Sequence, residues 1–113
     1  LNAANLFIIE DDPGLQSQLK WSFAEKYKVL TAGDRDEAVA LVKKNNPVVV
    51  TLDLGLPPDP GGASEGFAAL KEILDLAPGA KVIVITGNDS LDNAVRAVGM
   101  GAYDFYQKPV DPD

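Results

Sequence analysis

Three carboxylates, a hydroxyl and an amine stand where apolar runs of this sequence stop. Asp11 and Asp12 follow residues 5–9 (NLFII), Asp53 follows residues 48–52 (VVVTL), Thr86 follows residues 81–85 (KVIVI), and Lys108 follows residues 103–107 (YDFYQ). Each has a plain structural explanation when taken singly. Asp12 suits a helix N-cap, Asp53 the first loop position after a strand, Thr86 a β-former and Lys108 a solvated strand end. If the runs are parallel strands of one sheet, however, all four ends gather at one edge, where α/β sheets open a crevice. Two carboxylates about 5 Å apart repel by roughly 3 kcal/mol at an effective dielectric near ~20. Three acids in one crevice therefore require a cation, and oxygen-only ligands with room for water suit Mg²⁺ or Mn²⁺ rather than zinc. Lys108 supplies the remaining positive charge. A carboxylate beside a hard divalent ion, a lysine and a hydroxyl is equipped to attack a phosphoryl group, and Asp53, at the end of the most apolar run, is the natural nucleophile.

The elements that must position these groups follow from the apolar pattern. The run 48–52 has no polar alternation, as in a parallel strand covered on both faces. Asp12 and Pro13 mark a helix start, with Leu15, Leu19 and Phe23 as its buried stripe and Trp21 off it, partly exposed. A second strand at 28–32 leads to a capping-box-like start at Asp34 and Glu37, and to a helix carrying Ala38, Leu41 and Val42. A helix with Phe67, Leu70, Ile73 and Leu74 runs to the stop at Pro78 and Gly79. The fourth helix carries Leu91, Ala94, Val95 and Val98, is capped by Asn88, Asp89 or Ser90, and is broken by Gly99 and Gly101. The order is βαβαβαβαβ, which specifies one parallel sheet with right-handed crossovers.

Composition bounds the rest. A chain of 113 residues makes one compact domain. Its net charge of −7 disfavours binding to nucleic acid or to an anionic membrane face. There is no cysteine, hence no disulfide framework, and no histidine, so any transferable phosphohistidine belongs to another protein. With no membrane-length apolar stretch and no signal-peptide pattern, a soluble cytoplasmic domain is expected.

At these residues the chain resembles the receiver domains of bacterial two-component response regulators. EDD at 10–12, LDLGLP at 52–57, VITG at 84–87 and GAYDFYQKP at 101–109 correspond in order and spacing. The resemblance implies a flavodoxin-like doubly wound sheet of order 2-1-3-4-5. It implies that Asp53 is the phosphoacceptor, that Asp11, Asp12, Asp53 and the backbone carbonyl of Gly55 hold Mg²⁺ or Mn²⁺, and that Thr86 and Lys108 contact the phosphoryl group. Thr86 and Phe105 resemble the family's switch residues, and Lys108-Pro109 a cis peptide. A sensor histidine kinase is the implied donor, and the domain is implied to catalyse its own aspartyl phosphorylation and dephosphorylation. GAYDFYQKP is further similar to receivers of nitrogen-regulation-type, sigma-54-dependent transcription regulators, in which the receiver controls an ATPase domain and a DNA-binding domain. The loop PPDPGGASEG resembles that of regulators associated with the PEP-CTERM exosortase system. A homodimer is compatible with the family.

Two features depart from the family pattern. The loop after Asp53 is longer by roughly five residues. The family's fifth helix should follow Lys108-Pro109, so a receiver over residues 1–113 is expected to be truncated at its C-terminal end, with only the first helix on one face of the sheet. Apolar residues of the first, third, fourth and fifth strands are then expected to be open on that face. Two other readings use the same residues. A phosphohydrolase of the haloacid dehalogenase type also has an aspartate nucleophile after a strand, but wants a second acid where Gly55 stands. A phosphate-independent pseudo-receiver would act only as a scaffold. A nucleotide-binding module is disfavoured, because neither GxxxxGK[ST] nor GxGxxG follows the first strand.

Overall fold

In the computed structural model the described residues are 4–59, 62–87 and 91–108. They form β1 (Ala4–Ile9), α1 (Pro13–Phe23), β2 (Tyr27–Ala32), α2 (Arg35–Lys44), β3 (Val49–Asp53), α3 (Ser64–Leu76), β4 (Lys81–Thr86), α4 (Leu91–Gly99) and β5 (Asp104–Gln107). All pairings are parallel and the strand order is β2-β1-β3-β4-β5, as the alternating pattern requires. The chain reverses direction across the sheet beside β1 and β3, so the crevice of a doubly wound sheet opens at the ends of those two strands.

The apolar runs divide between two faces because successive strand residues point to opposite sides. Phe7, Ile9, Val50, Leu52, Val82 and Val84 form one core with Ala38 and Val42 of α2, Leu70 and Ile73 of α3, and Ala97 of α4. Ile8 and Ile85 form a smaller core with Leu19, on which Leu15, Phe23 and Val29 pack. On that second face Val49 and Ile83 are only half-buried and Tyr106 is exposed. Leu6, Ile8 and Ile85 are buried there. The apolar exposure expected for this face is therefore confined, among the described residues, to its β3, β4 and β5 side.

Local chemistry fixes where the helices begin. Asp12 is extended (φ −77°, ψ 112°) and its Oδ1 accepts from Gly14 N at 2.9 Å and Leu15 N at 3.3 Å, with Pro13 in the first turn. Asp34 Oδ1 accepts from Glu37 N at 2.8 Å, and Lys43 and Lys44 stand in the last turn of α2, where the helix dipole favours cations. After α4 the chain turns at Gly101, whose φ of +116° suits only glycine, and Gly101 N donates to Val98 O at 3.0 Å. Gly99 closes the helix rather than breaking it. Trp21 is 83% exposed, more open than its place beside the buried stripe suggested. Asp53 and Thr86 are the last residues of their strands. The capping positions at 88–90 and the Lys108-Pro109 bond lie outside the described residues; the cis peptide found among them is Pro57-Pro58.

The Asp34 cap gives a direct test of the local argument. Asp34→Ala is expected to destabilise the domain by about 1 kcal/mol, through an orphaned helix amide, with no change in denaturant m-value. Urea unfolding followed by circular dichroism measures it, and an unchanged midpoint would refute the cap's contribution.

Candidate functional site

The parallel register carries the ends of β1, β3 and β5 to one place. Ile8 pairs with Thr51, Asp53 with Ile85, and Ile85 with Tyr106. Glu10 and Asp53 stand two residues beyond Ile8 and Thr51, and Lys108 two residues beyond Tyr106, which is level with Asp53, so all three project from the same face at the sheet's carboxyl edge. Glu10 and Asp53 are almost fully buried at 1% and 4% exposure, whereas Asp11 is exposed. One carboxylate oxygen from each of Glu10, Asp11 and Asp53 lies within 4.8 Å of the others.

Asp53 is held at both oxygens. Its Oδ1 accepts from Gly55 N at 3.0 Å and its Oδ2 from Lys108 Nζ at 3.1 Å. Lys108 is carried there by β5, and its own amide donates to Thr86 O at 2.6 Å. Glu10 Oε2 accepts from Asp12 N at 3.1 Å. Its Oε1 stands 3.4 Å from Lys108 Nζ without hydrogen-bond geometry. Thr86 is buried with no hydrogen-bond partner for Oγ1 among the described residues. Phe105 is half-buried against the larger core.

These surroundings set the charges. Burial, followed by the neighbouring Asp53 carboxylate and its charge, pushes the Glu10 carboxyl up to about 8, against the smaller opposing effects of the Asp12 amide and Lys108. For Lys108, burial alone would favour the neutral amine, but the charge of Asp53 and its hydrogen bond, with Glu10 adding to them, leave the pKa above its ordinary value. Lys108 is therefore a cation at neutral pH.

The structure groups the acids differently from the sequence reading at one position. Asp12 was expected beside Asp11 at the metal, but its Oδ1 accepts from two amides of α1. The acid that joins Asp11 and Asp53 is Glu10. The reason is that β1 stops at Ile9, so Glu10 follows the strand directly and still points with its buried face, while Asp12 is already the helix cap. The acidic run EDD carried the signal: one carboxylate had been asked both to cap a helix and to bind a metal. Of the other predicted residues, Asp11, Asp53, Lys108 and Gly55 are brought together, Gly55 through its amide. Thr86 ends the next strand, and Phe105 lies three residues before Lys108.

The donor set suits a hard divalent cation. Its atoms are all oxygens, three acids outnumber the one lysine among them, and the buried Glu10 Oε1 makes no hydrogen bond among the described residues. No helix among the described residues is long and apolar enough to cross a membrane.

Comparison with known proteins identifies the family. Residues 6–113 match the model of the response regulator receiver domain family. The chain is 32% identical over 111 residues to the transcriptional regulatory protein GlrR of Escherichia coli, covering 97% of this chain and 24% of that protein. It is 30% identical over 112 residues to the nitrogen assimilation regulatory protein NtrX of Azorhizobium caulinodans, covering 98% of this chain and 24% of that protein. Among solved structures, a Burkholderia pseudomallei response regulator with a phosphorylated aspartic acid, a calcium ion and citrate superposes with a TM-score of 0.85 at 30% identity, covering 96% of this chain and 62% of that one. The receiver domain of NtrX from Brucella abortus does so with a TM-score of 0.85 at 31% identity, covering 96% of this chain and 88% of that one. The chain belongs to the response regulator receiver domain family. It spans about a quarter of the length of the curated relatives named here.

The raised Glu10 pKa predicts how metal-free stability varies with pH. Between the ordinary value of 4.5 and about 8, the folded state keeps a proton that the unfolded chain has released. Stability contributed by that protonation is present at low pH and is lost as pH rises through this window, by up to ~1.4 kcal/mol per pH unit. Urea unfolding in chelator at several pH values should show this slope in wild type and a flatter one in Glu10→Gln. Equal slopes in the two proteins would refute it.

Proposed function

We propose that this chain is the phosphoacceptor of a two-component system, taking a phosphoryl group from the phosphohistidine of a sensor histidine kinase onto Asp53. The observation that carries this reading is the state of Asp53: it is buried, fixed at one oxygen by the Gly55 amide and at the other by the Lys108 ammonium. Such a carboxylate is oriented for attack without further ordering. The phosphorylated aspartic acid in the Burkholderia pseudomallei relative supports it. An Asp53 oxygen attacks phosphorus, the bond from phosphorus to the donor nitrogen breaks, and the electron pair leaves with the imidazole. Lys108 neutralises oxygens that gain charge in the transfer, and the Thr86 hydroxyl, without a partner among the described residues, is available to donate to one of them.

Glu10, Asp11, Asp53 and the Gly55 carbonyl would hold Mg²⁺ or Mn²⁺, which supplies charge neutralisation at the phosphoryl oxygens. The same residues serve dephosphorylation when water is the attacking group. The new phosphate adds about −1.5 to −2 charge and three acceptors, drawing Thr86 toward it and Phe105 inward and so altering the surface of α4 and β5. A cytoplasmic location and an output that regulates transcription, through sigma-54-dependent ATPase and DNA-binding domains, belong to this proposal. The names of the GlrR and NtrX relatives support the transcriptional part. The narrower likeness to PEP-CTERM regulators rests on the 57–66 loop and is not carried by those relatives. Gly55, where a dehalogenase-type hydrolase wants its second acid, disfavours that alternative.

Incubation with acetyl phosphate and Mg²⁺ is expected to add one phosphate to wild type and none to Asp53→Asn, as read by intact mass. Equal gain in both proteins would refute the assignment.

Metal binding separates the two aspartates. Mg²⁺ a hundredfold above its dissociation constant should stabilise wild type by about 2.7 kcal/mol. Asp11→Ala should lose that response, whereas Asp12→Ala should keep it from a baseline lowered by about 1 kcal/mol. The reverse pattern in thermal melts would restore Asp12 to the metal site.

A further inference from the structure

The connection from β3 to α3 spans residues 54–63, and its length leaves the start of α3 unspecified by chain connectivity alone. The loop folds on itself at Asp59, whose amide donates to Leu56 O at 3.0 Å and whose Oδ2 accepts from Ser64 Oγ at 2.7 Å. What fixes α3 against the site lies elsewhere. Gly66, in the first turn of α3, sits flush on the backbone of Leu54: a Cβ there would stand 2.4 Å from Leu54 Cα and 2.4 Å from its carbonyl oxygen. The three nearest atoms are all backbone of Leu54, which cannot swing aside as a side chain could. Arg35, opening α2, ties that turn down through Nε to Glu65 Oε1 at 2.5 Å, and holds α3 further along through a terminal nitrogen to Glu72 Oε1 at 2.7 Å.

Leu54 is thereby held on both sides, because its amide donates to Ile85 O at 3.1 Å while Gly66 covers its carbonyl. The next amide, that of Gly55, holds Asp53 Oδ1. We propose that Gly66 is a positioning residue for Asp53: its lack of a side chain, secured by the Arg35 clamp, seats α3 on Leu54 and so aims the Gly55 amide at the acceptor carboxylate. The inference deepens the phosphoacceptor reading and rests on it for its kinetic consequence, though not for its structural one.

The test compares Gly66→Ala, Arg35→Gln and, as a control, Gly79→Ala, where a Cβ would meet nothing within 4 Å. Two quantities are read well below each protein's melting temperature: the Gly55 amide resonance, referenced to Asp53→Asn, and the rate of labelling by acetyl phosphate with Mg²⁺. In Gly66→Ala the resonance is expected to move toward its Asp53→Asn position and labelling to slow at least tenfold. Arg35→Gln should shift both in the same direction, with labelling slowed about threefold, and Gly79→Ala should shift neither. A Gly66→Ala protein that only melts lower, with resonance in place and labelling within twofold of wild type, overturns the proposal. Should Gly66→Ala fail to fold, Arg35→Gln decides by the same two readouts. If wild type takes no label, the phosphoacceptor reading fails, while the resonance still decides the positioning.

Discussion

The contact between Asp53 and Lys108 is the interaction on which the rest of the arrangement depends. It joins the end of β3 to the end of β5 across the intervening β4, and Asp53 is buried. A buried carboxylate left without its partner costs about 3–5 kcal/mol, so the strand register that delivers Lys108 is under strong electrostatic constraint. That register is in turn set by the apolar faces. A slip of one residue would send Ile8, Thr51 and Ile85 to the opposite side and take Glu10, Asp53 and Lys108 with them.

The site concentrates more negative charge than its own cation offsets. Among Glu10, Asp11 and Asp53 only Asp11 is open to water, and the fold meets the excess partly by raising the Glu10 pKa. Such a cluster lowers metal-free stability and becomes favourable when a cation enters, which is a common way for a functional site to draw on the stability of its scaffold. The surrounding fold is built to bear this: α1 is tied to the end of β1 by Gln16, whose side-chain amide donates to Glu10 O at 2.9 Å, and α3 is tied to α2 by Arg35.

The acids at 10–12 show where sequence reasoning reaches its limit. Asp12 before Pro13 was legible as an N-cap, and the acids at 10–12 were legible as a group, but which of them faces the crevice depends on the residue at which β1 stops pairing. Glu10 N still donates to Ala32 O at 2.9 Å, keeping Glu10 in line with the strand. Alternation then sends its side chain inward and leaves Asp12 to the helix. The N-cap signal at Asp12 is local, but the inward face of Glu10 depends on where β1 stops pairing.

The sequence by itself determined the element order, the strand that carries Asp53, the helix caps at Asp12 and Asp34, and the edge at which Thr86 and Lys108 appear. These follow from periodicity and from short-range hydrogen bonding, both properties of neighbouring residues. Tertiary structure alone decided that Glu10 is the buried acid, that both Asp53 oxygens are occupied, and that Gly66 lies against Leu54. The Gly55 contact to Asp53 is local, but the Lys108 contact, the inward face of Glu10 and the seat of Gly66 depend on residues far apart in the chain meeting across strands or between a helix and the sheet. Their positions are set by packing and register, which no single stretch of sequence contains.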